Sequence, residues 1–250
     1  MTLLLSNKSA SQRSIRNRDK YSKTARKKRS ASASVPALSN RFIKSLFYVA
    51  TFILIILFPL FGWLYSHNVI TSISFEANST IALSLLFPML VFSYLLHKGL
   101  GFGSIVESLH LNSSAFTIKA IAAGVALFAA IFLLEVGFSA FQTVTHIPIP
   151  TNVLALLQGM PFYLLVFSVV IAPIDEEILF RGFLVPRVGI ILSALIFSLF
   201  HISYLSVSEF VAAFIFGLLA GYVFKKTKSL YATIIGHGLV NLLTILVLFL

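Results

Sequence analysis

From residue 46 onward, apolar runs long enough to cross a lipid bilayer, which takes about 20 residues, follow one another almost without interruption. Seven can be read, at 46–65, 80–97, 117–141, 156–182, 188–204, 207–224 and 230–249. The bilayer interior offers no water to unpaired backbone groups, so such runs become helices that satisfy their own hydrogen bonds. The expected fold is therefore all-α, a polytopic transmembrane helix bundle of about seven spans, with no soluble domain left over. Composition agrees. Hydrophobic residues make up 58% of the chain and charged ones 11%, where a soluble domain would carry about a quarter charged. With no cysteine, disulfides and thiolate metal sites are excluded, and any metal would need histidine, carboxylate or amide ligands.

The net charge of +11 lies in the first 44 residues, which hold twelve of the nineteen Lys and Arg against the single acid Asp19. Two domains are expected: a basic tail, 1–44, and a transmembrane domain, 45–250. The tail is rich in Ser and poor in large apolar residues, a composition that stays disordered in isolation. A solvated cytoplasmic segment drawn to anionic lipid fits it best. An organelle transit peptide is the alternative. Nucleic acid is not an expected partner, because one Tyr among the bases gives little to stack on. Between spans, Lys98, Lys119, Arg187, Lys225, Lys226 and Lys228 fall in every second loop. By the positive-inside rule the amino end is cytoplasmic and the carboxyl end is outside.

The stretch "VVIAPIDEEILFRGFL", residues 169–184, buries three acids and an arginine in an apolar run. Each such group costs roughly 2.5 to 3.5 kcal/mol at a membrane helix centre. Glu177 and Arg181, four apart, share a helix face and can pair. Glu176 lies about 100° around the helix without a local cation, either beside interfacial water or as a group suited to moving protons. Pro173 would loosen the backbone just before the acids. The fifth run places His201 four residues after Phe197, and the seventh places Asn241 four after His237, with Gly236 and Gly238 flanking that histidine. Each of these polar groups needs a partner or a hydrated cavity. His67, His97, His110 and His146 fall in or near loops. Glu135 is a competitor within the third run, and Glu107 and Glu209 read as loop or helix-end residues. Pro59, Pro88 and Pro161 read as helix kinks, and the stripe Ala213, Gly217, Gly221 as a close-packing face.

In "EEILFR", "FSLFH" and "HGLVN" the chain resembles the CPBP family, the CAAX-processing and bacteriocin-processing (Abi) intramembrane proteases, over roughly residues 165–245. The resemblance implies hydrolysis of a peptide bond in a membrane-associated substrate, of prenylated CAAX type or bacteriocin-related. Glu176 would activate water and His201 would assist. His237 and Asn241 would complete a metal site or hold the oxyanion, while Glu177, Arg181 and Phe197 would shape the site. Two mechanisms stay open: zinc held by Glu176, His201 and His237, or a metal-free glutamate mechanism with an oxyanion hole. A non-catalytic scaffold or bacteriocin self-immunity protein that binds a partner is the alternative function, and a proton-coupled transporter is a third. The expected setting is a bacterial plasma membrane or an organelle membrane, with lipid and a membrane-anchored protein as partners. One tension accompanies this reading. At about 1.5 Å per residue from an inner edge placed at Arg187, Glu176 lies about 16 Å deep and His201 about 21 Å deep, so tilt of the fifth helix or a dip of the 183–188 turn into the bilayer is expected.

Overall fold

The computed structural model describes residues 72–146, 158–201 and 206–248, together with residues 42, 45, 46, 48, 49, 51–53 and 60. The chain divides into two compact units, Met1–Leu46 and Phe47–Leu250. Nearly all of the basic tail and most of the first expected span, 46–65, lie outside the described residues.

Within the second unit, all of the described regular structure is helical. Helix α1 is Ser72–His97 and α2 is Phe102–Ser108, followed by a 3-10 turn at Ser113–Ala115. Helix α3, Ile118–Thr145, begins where the Thr117 hydroxyl accepts the Ala120 N–H at 3.1 Å, an N-cap. Helix α4 is Phe162–Glu177, and it runs through a π-helical segment, Ile178–Leu184, into α5, Val185–Phe200. Helix α6, Val207–Thr227, is capped by Ser206, whose hydroxyl accepts the Glu209 N–H at 3.2 Å. It ends at Lys228, which adopts the left-handed conformation, with Lys225 and Lys226 in its last turn where cations suit the helix dipole. Helix α7 is Leu230–Leu248.

Among the described residues, four stretches are long and apolar enough to cross a membrane: Ile118–Thr145, Phe162–Phe200, Val207–Thr227 and Leu230–Val247. A fifth is added if Ile81–His97 and Phe102–Ala115, which meet at 117°, are taken together. Against the seven expected, most of the first run lies outside the described residues, the second belongs to the bent pair, and the fourth and fifth form one helical stretch with no loop between them. That stretch is nevertheless not straight. Phe180 and Phe197 would stand about 25 Å apart along a straight helix, yet their rings meet at 5.0 Å. The Ser193 hydroxyl also donates to the Phe180 carbonyl at 2.6 Å. The chain doubles back at Gly189 (φ 84°, ψ 175°), a conformation open to glycine alone.

The reversal point therefore replaces the expected turn at 183–188, whose residues are helical. It also removes the depth mismatch: counted from Gly189, Glu176 and His201 lie about 20 and 18 Å along their two arms. The proline expectations need a correction as well. Pro161 does not kink a helix; it stands just ahead of α4 with extended backbone, where its missing N–H removes no helix bond. Pro88 does lie inside α1, and Pro59 falls outside the described residues.

Two close approaches fix the bundle. A Cβ on Gly217 would lie 2.8 Å from the Ala194 Cβ, so α6 rests directly on α5. A Cβ on Gly124 would lie 2.6 Å from the Ala232 carbonyl oxygen, which brings α3 equally close to α7. The expected stripe on α6 is thus the face that meets α5. Between these pairs lies an apolar core that includes Phe87, Leu127, Ile131, Phe180, Phe197 and Phe216. Outward, Ile118, Leu133 and Ile191 are 78%, 68% and 71% exposed, a surface that suits lipid rather than water.

One end of the bundle is basic. The Leu230 N–H donates to the His110 carbonyl at 3.2 Å. The Ser229 hydroxyl donates to the Ala115 carbonyl at 2.7 Å and Tyr231 to the Leu111 carbonyl at 2.6 Å. These bonds tie the α2–α3 connection to the α6–α7 turn, and so group Lys119 with Lys225, Lys226 and Lys228. Lys98 and Arg187 join them around a shared cavity that also includes Leu109.

Candidate active site

The site is built where α7 runs antiparallel to the second half of α4. Pro173 has no N–H, so the Val169 carbonyl loses its helical partner. That oxygen lies where a Cβ on Gly238 would be 3.0 Å away. Glycine beside His237 thus lets α7 close onto the loosened turn of α4. One turn further along α7, the Asn241 side-chain amide donates to the Ser168 carbonyl at 2.8 Å. On the other flank of α4 the Ser84 hydroxyl donates to Asp175 at 2.9 Å, which fastens α1.

Glu177 is fully buried, and its Oε1 takes two charge-assisted contacts. Arg181 Nη1 donates to it at 2.8 Å and His237 Nδ1 at 3.0 Å. The expected pair at i, i+4 is present, and the histidine is an additional partner from another helix. A carboxylate only accepts from its neighbour, so His237 carries a proton on Nδ1, and in the neutral ring Nε2 is then the lone-pair nitrogen. Arg181 is itself caged: its Cζ lies 4.4 Å from the Phe197 ring centre and 5.0 Å from that of Phe216. Cation–π contact of this kind helps to compensate a buried guanidinium.

Glu176 is held differently. Its side chain is 21% exposed, and its Oε2 stands 3.8 Å from His237 Nε2, too far for a direct hydrogen bond. That oxygen is buried and has no hydrogen-bond partner among the described residues; neither have Glu177 Oε2 and Arg181 Nη2. His201 Nδ1 lies 3.0 Å from the Phe197 carbonyl, an acceptor, so Nδ1 is the donor in this contact. The rings of His201 and His237 lie 4.6 and 5.9 Å from that of Phe197, which contacts both.

Residues 158–243 match the family model described as type II CAAX prenyl endopeptidase Rce1-like. The match covers about a third of the chain, and over that stretch the chain is similar to the type II CAAX prenyl endopeptidases. The matched stretch holds "EEILFR", "FSLFH" and "HGLVN" together with α6. No curated protein and no solved structure matches the chain.

In this matched stretch the structure brings Glu176, Glu177, Arg181, Phe197 and His237 into one cluster. His201 adjoins it through Phe197, and Asn241 through the α4–α7 interface. Among the described residues no three His, Asp or Glu side chains, Glu176, His201 and His237 included, stand as a group that could hold a metal ion. Glu209, read from the sequence as a helix-end residue, does lie in the first turn of α6, within electrostatic range of both His201 and Glu135.

Sequence reasoning passed over Phe216, Ser84 and Ser168. Phe216 lies in an all-apolar run, where nothing separates a cation cage from packing. Ser168 contributes a backbone carbonyl, which every residue has. Asp175 and Ser84 could have been paired only by knowing that α1 packs on α4.

Proposed function

We propose that this chain is an intramembrane endopeptidase that cleaves a membrane-anchored, prenylated CAAX-type protein with water activated by Glu176. The observation that carries the reading is the unequal treatment of two adjacent glutamates. Glu177 is locked by Arg181 and His237, whereas Glu176 keeps a buried oxygen without a hydrogen bond. Buried acceptors left in that state call for a water or a substrate group.

Oxygen and nitrogen 3.8 Å apart, as Glu176 Oε2 and His237 Nε2 are, can both accept from one water. In the proposed reaction the water oxygen attacks the scissile carbonyl while one of its protons passes to Glu176 Oε2. That proton then goes to the departing amine as the C–N bond breaks. Glu177 holds His237 in the tautomer whose lone pair faces the water. His201 assists with its Nε2, and the second N–H of Asn241 is the donor assigned to the developing oxyanion, a role in which one donor is worth roughly 10²–10³ in rate. The basic end of the bundle faces the cytoplasm in this reading, as the positive-inside rule directs.

The deciding experiment incubates purified protein and its Glu176→Gln variant with matched prenylated and unprenylated peptides ending in a CAAX sequence. Cleavage of the prenylated peptide by the parent, and none by the variant, is expected. Equal cleavage by both proteins would remove Glu176 from the chemistry. No cleavage by either, with the protein folded, would favour the partner-binding alternative.

A further inference from the structure

We propose that the basic end carries a binding site for the phosphate of an anionic glycerophospholipid, between the C-terminus of α1 and the start of α5. A cavity of about 490 Å³ opens there, lined by Tyr94, Lys98, Ser108, Leu109, Gly182 and Arg187 among others. None of its lining residues is acidic.

Its two cations come from different helices and converge on one ring: Lys98 Nζ lies 5.5 Å and Arg187 Cζ 5.9 Å from the centre of Tyr94. Arg187 is oriented rather than free. Its guanidinium stacks 3.7 Å from the centre of Phe183, and Nη1 donates to the Phe183 carbonyl at 2.7 Å. Stacking occupies the flat face and leaves the remaining N–H edge for an anion, the geometry that suits phosphate. Neither cation has a carboxylate partner among the described residues.

Two features select a lipid phosphate over the free ion. Leu95 and Leu109, both buried, form part of the wall, so the cavity joins cations to an apolar surface. It also adjoins lipid-facing surface: Leu90, one turn before Tyr94, is 42% exposed and Ile191 on α5 is 71% exposed. An acyl chain can lie along that surface while the headgroup enters the cavity. Tyr94 itself sits at a helix end, where aromatic side chains mark the interface. Basic pockets between helices at this depth are suited to anionic headgroups. None of the residues lining it belongs to the candidate active site, and the proposal does not depend on the hydrolase reading.

The test is native mass spectrometry of the full chain in detergent with phosphatidylglycerol, phosphatidylcholine or inorganic phosphate. The parent is expected to retain one phosphatidylglycerol in preference to phosphatidylcholine. The double variant Lys98→Gln, Arg187→Gln should bind it roughly tenfold more weakly, given what each cation contributes near an anionic surface. Ser108→Trp, which keeps both charges and fills the cavity, should lose it too. Lys225→Gln with Lys226→Gln, at the same end but outside the cavity, should bind as the parent does. Equal loss in that control would mean diffuse charge and overturn the site. So would unchanged binding in both cavity variants, and displacement of the lipid by inorganic phosphate at equal concentration would overturn the lipid as occupant.

Discussion

His237 Nδ1 stands 3.0 Å from Glu177 Oε1, and that same oxygen receives Arg181 Nη1 at 2.8 Å. The neighbouring carboxylate has no such tie, so the two glutamates should part company on substitution. Removing one member of a buried ion pair typically costs about 3–5 kcal/mol, because the other charge is stranded. Glu177→Ala is expected to lower thermal stability in detergent by an amount of that order, and to impair cleavage because His237 loses its orienting acceptor. Glu176→Gln should leave the melting temperature near that of the parent, and lower cleavage by about 10²–10⁴-fold, the usual weight of a general base. Melting curves and initial rates on the same preparations check both halves. A Glu176→Gln protein as unstable as Glu177→Ala would show that the two share one structural role.

The Asn241 amide clamps α7 to α4 through the Ser168 carbonyl at 2.8 Å. Asn241→Ala removes that hydrogen bond and should cost about 1 kcal/mol. Asn241→Asp should be worse, although it is closer in shape, because a carboxylate oxygen would then face a carbonyl oxygen with no proton between them. The order parent, Ala, Asp in thermal stability is the expected result. Asp as stable as the parent would mean that the side chain has turned away from Ser168.

Much of this arrangement is legible in the letters, because the features that reveal it are local. Glu177 and Arg181 are four apart on one helix, and so are Phe197 with His201 and His237 with Asn241, which places each pair on a shared face whatever the tertiary fold. Cost arguments do the rest, since charges buried in lipid-spanning runs need a reason. What the letters do not give is how faces on different helices meet. Nothing in "FIFGLL" marks Phe216 as a lid on Arg181. Arg187 marks an interface and so points to a hairpin at 183–188 between α4 and α5, but a π-helical segment and the first turn of α5 continue through those residues before glycine permits the reversal.

The donor geometry also bears on metal dependence. Among the described residues no three His, Asp or Glu side chains are placed to share an ion, and the rings of His201 and His237 each pack against Phe197. Cleavage of a prenylated peptide is therefore expected to be insensitive to prolonged dialysis against a strong chelator, and metal analysis of the active protein should find no stoichiometric zinc. Activity that is lost on chelation and restored by zinc would show that the histidines rearrange around an ion.

Gly189 and Gly217 should fail for different reasons when replaced by alanine, and one further substitution tells them apart. At Gly189 a Cβ would meet nothing within 4 Å, so the whole cost is backbone strain at φ 84° and ψ 175°, about 1–3 kcal/mol for a conformation that only glycine adopts readily. At Gly217 the added Cβ would lie 2.8 Å from the Ala194 Cβ and 2.9 Å from its Cα. Overpacking of that kind typically costs about 1–3 kcal/mol. Ala194→Gly removes the nearer of those two atoms and should recover part of the stability lost in Gly217→Ala. The same change should do nothing for Gly189→Ala, whose fault lies in its own dihedral angles. Thermal unfolding of the two single and two double variants measures this. Recovery of Gly189→Ala by Ala194→Gly would mean that the reversal is set by how closely α6 packs on α5, not by the backbone freedom of glycine.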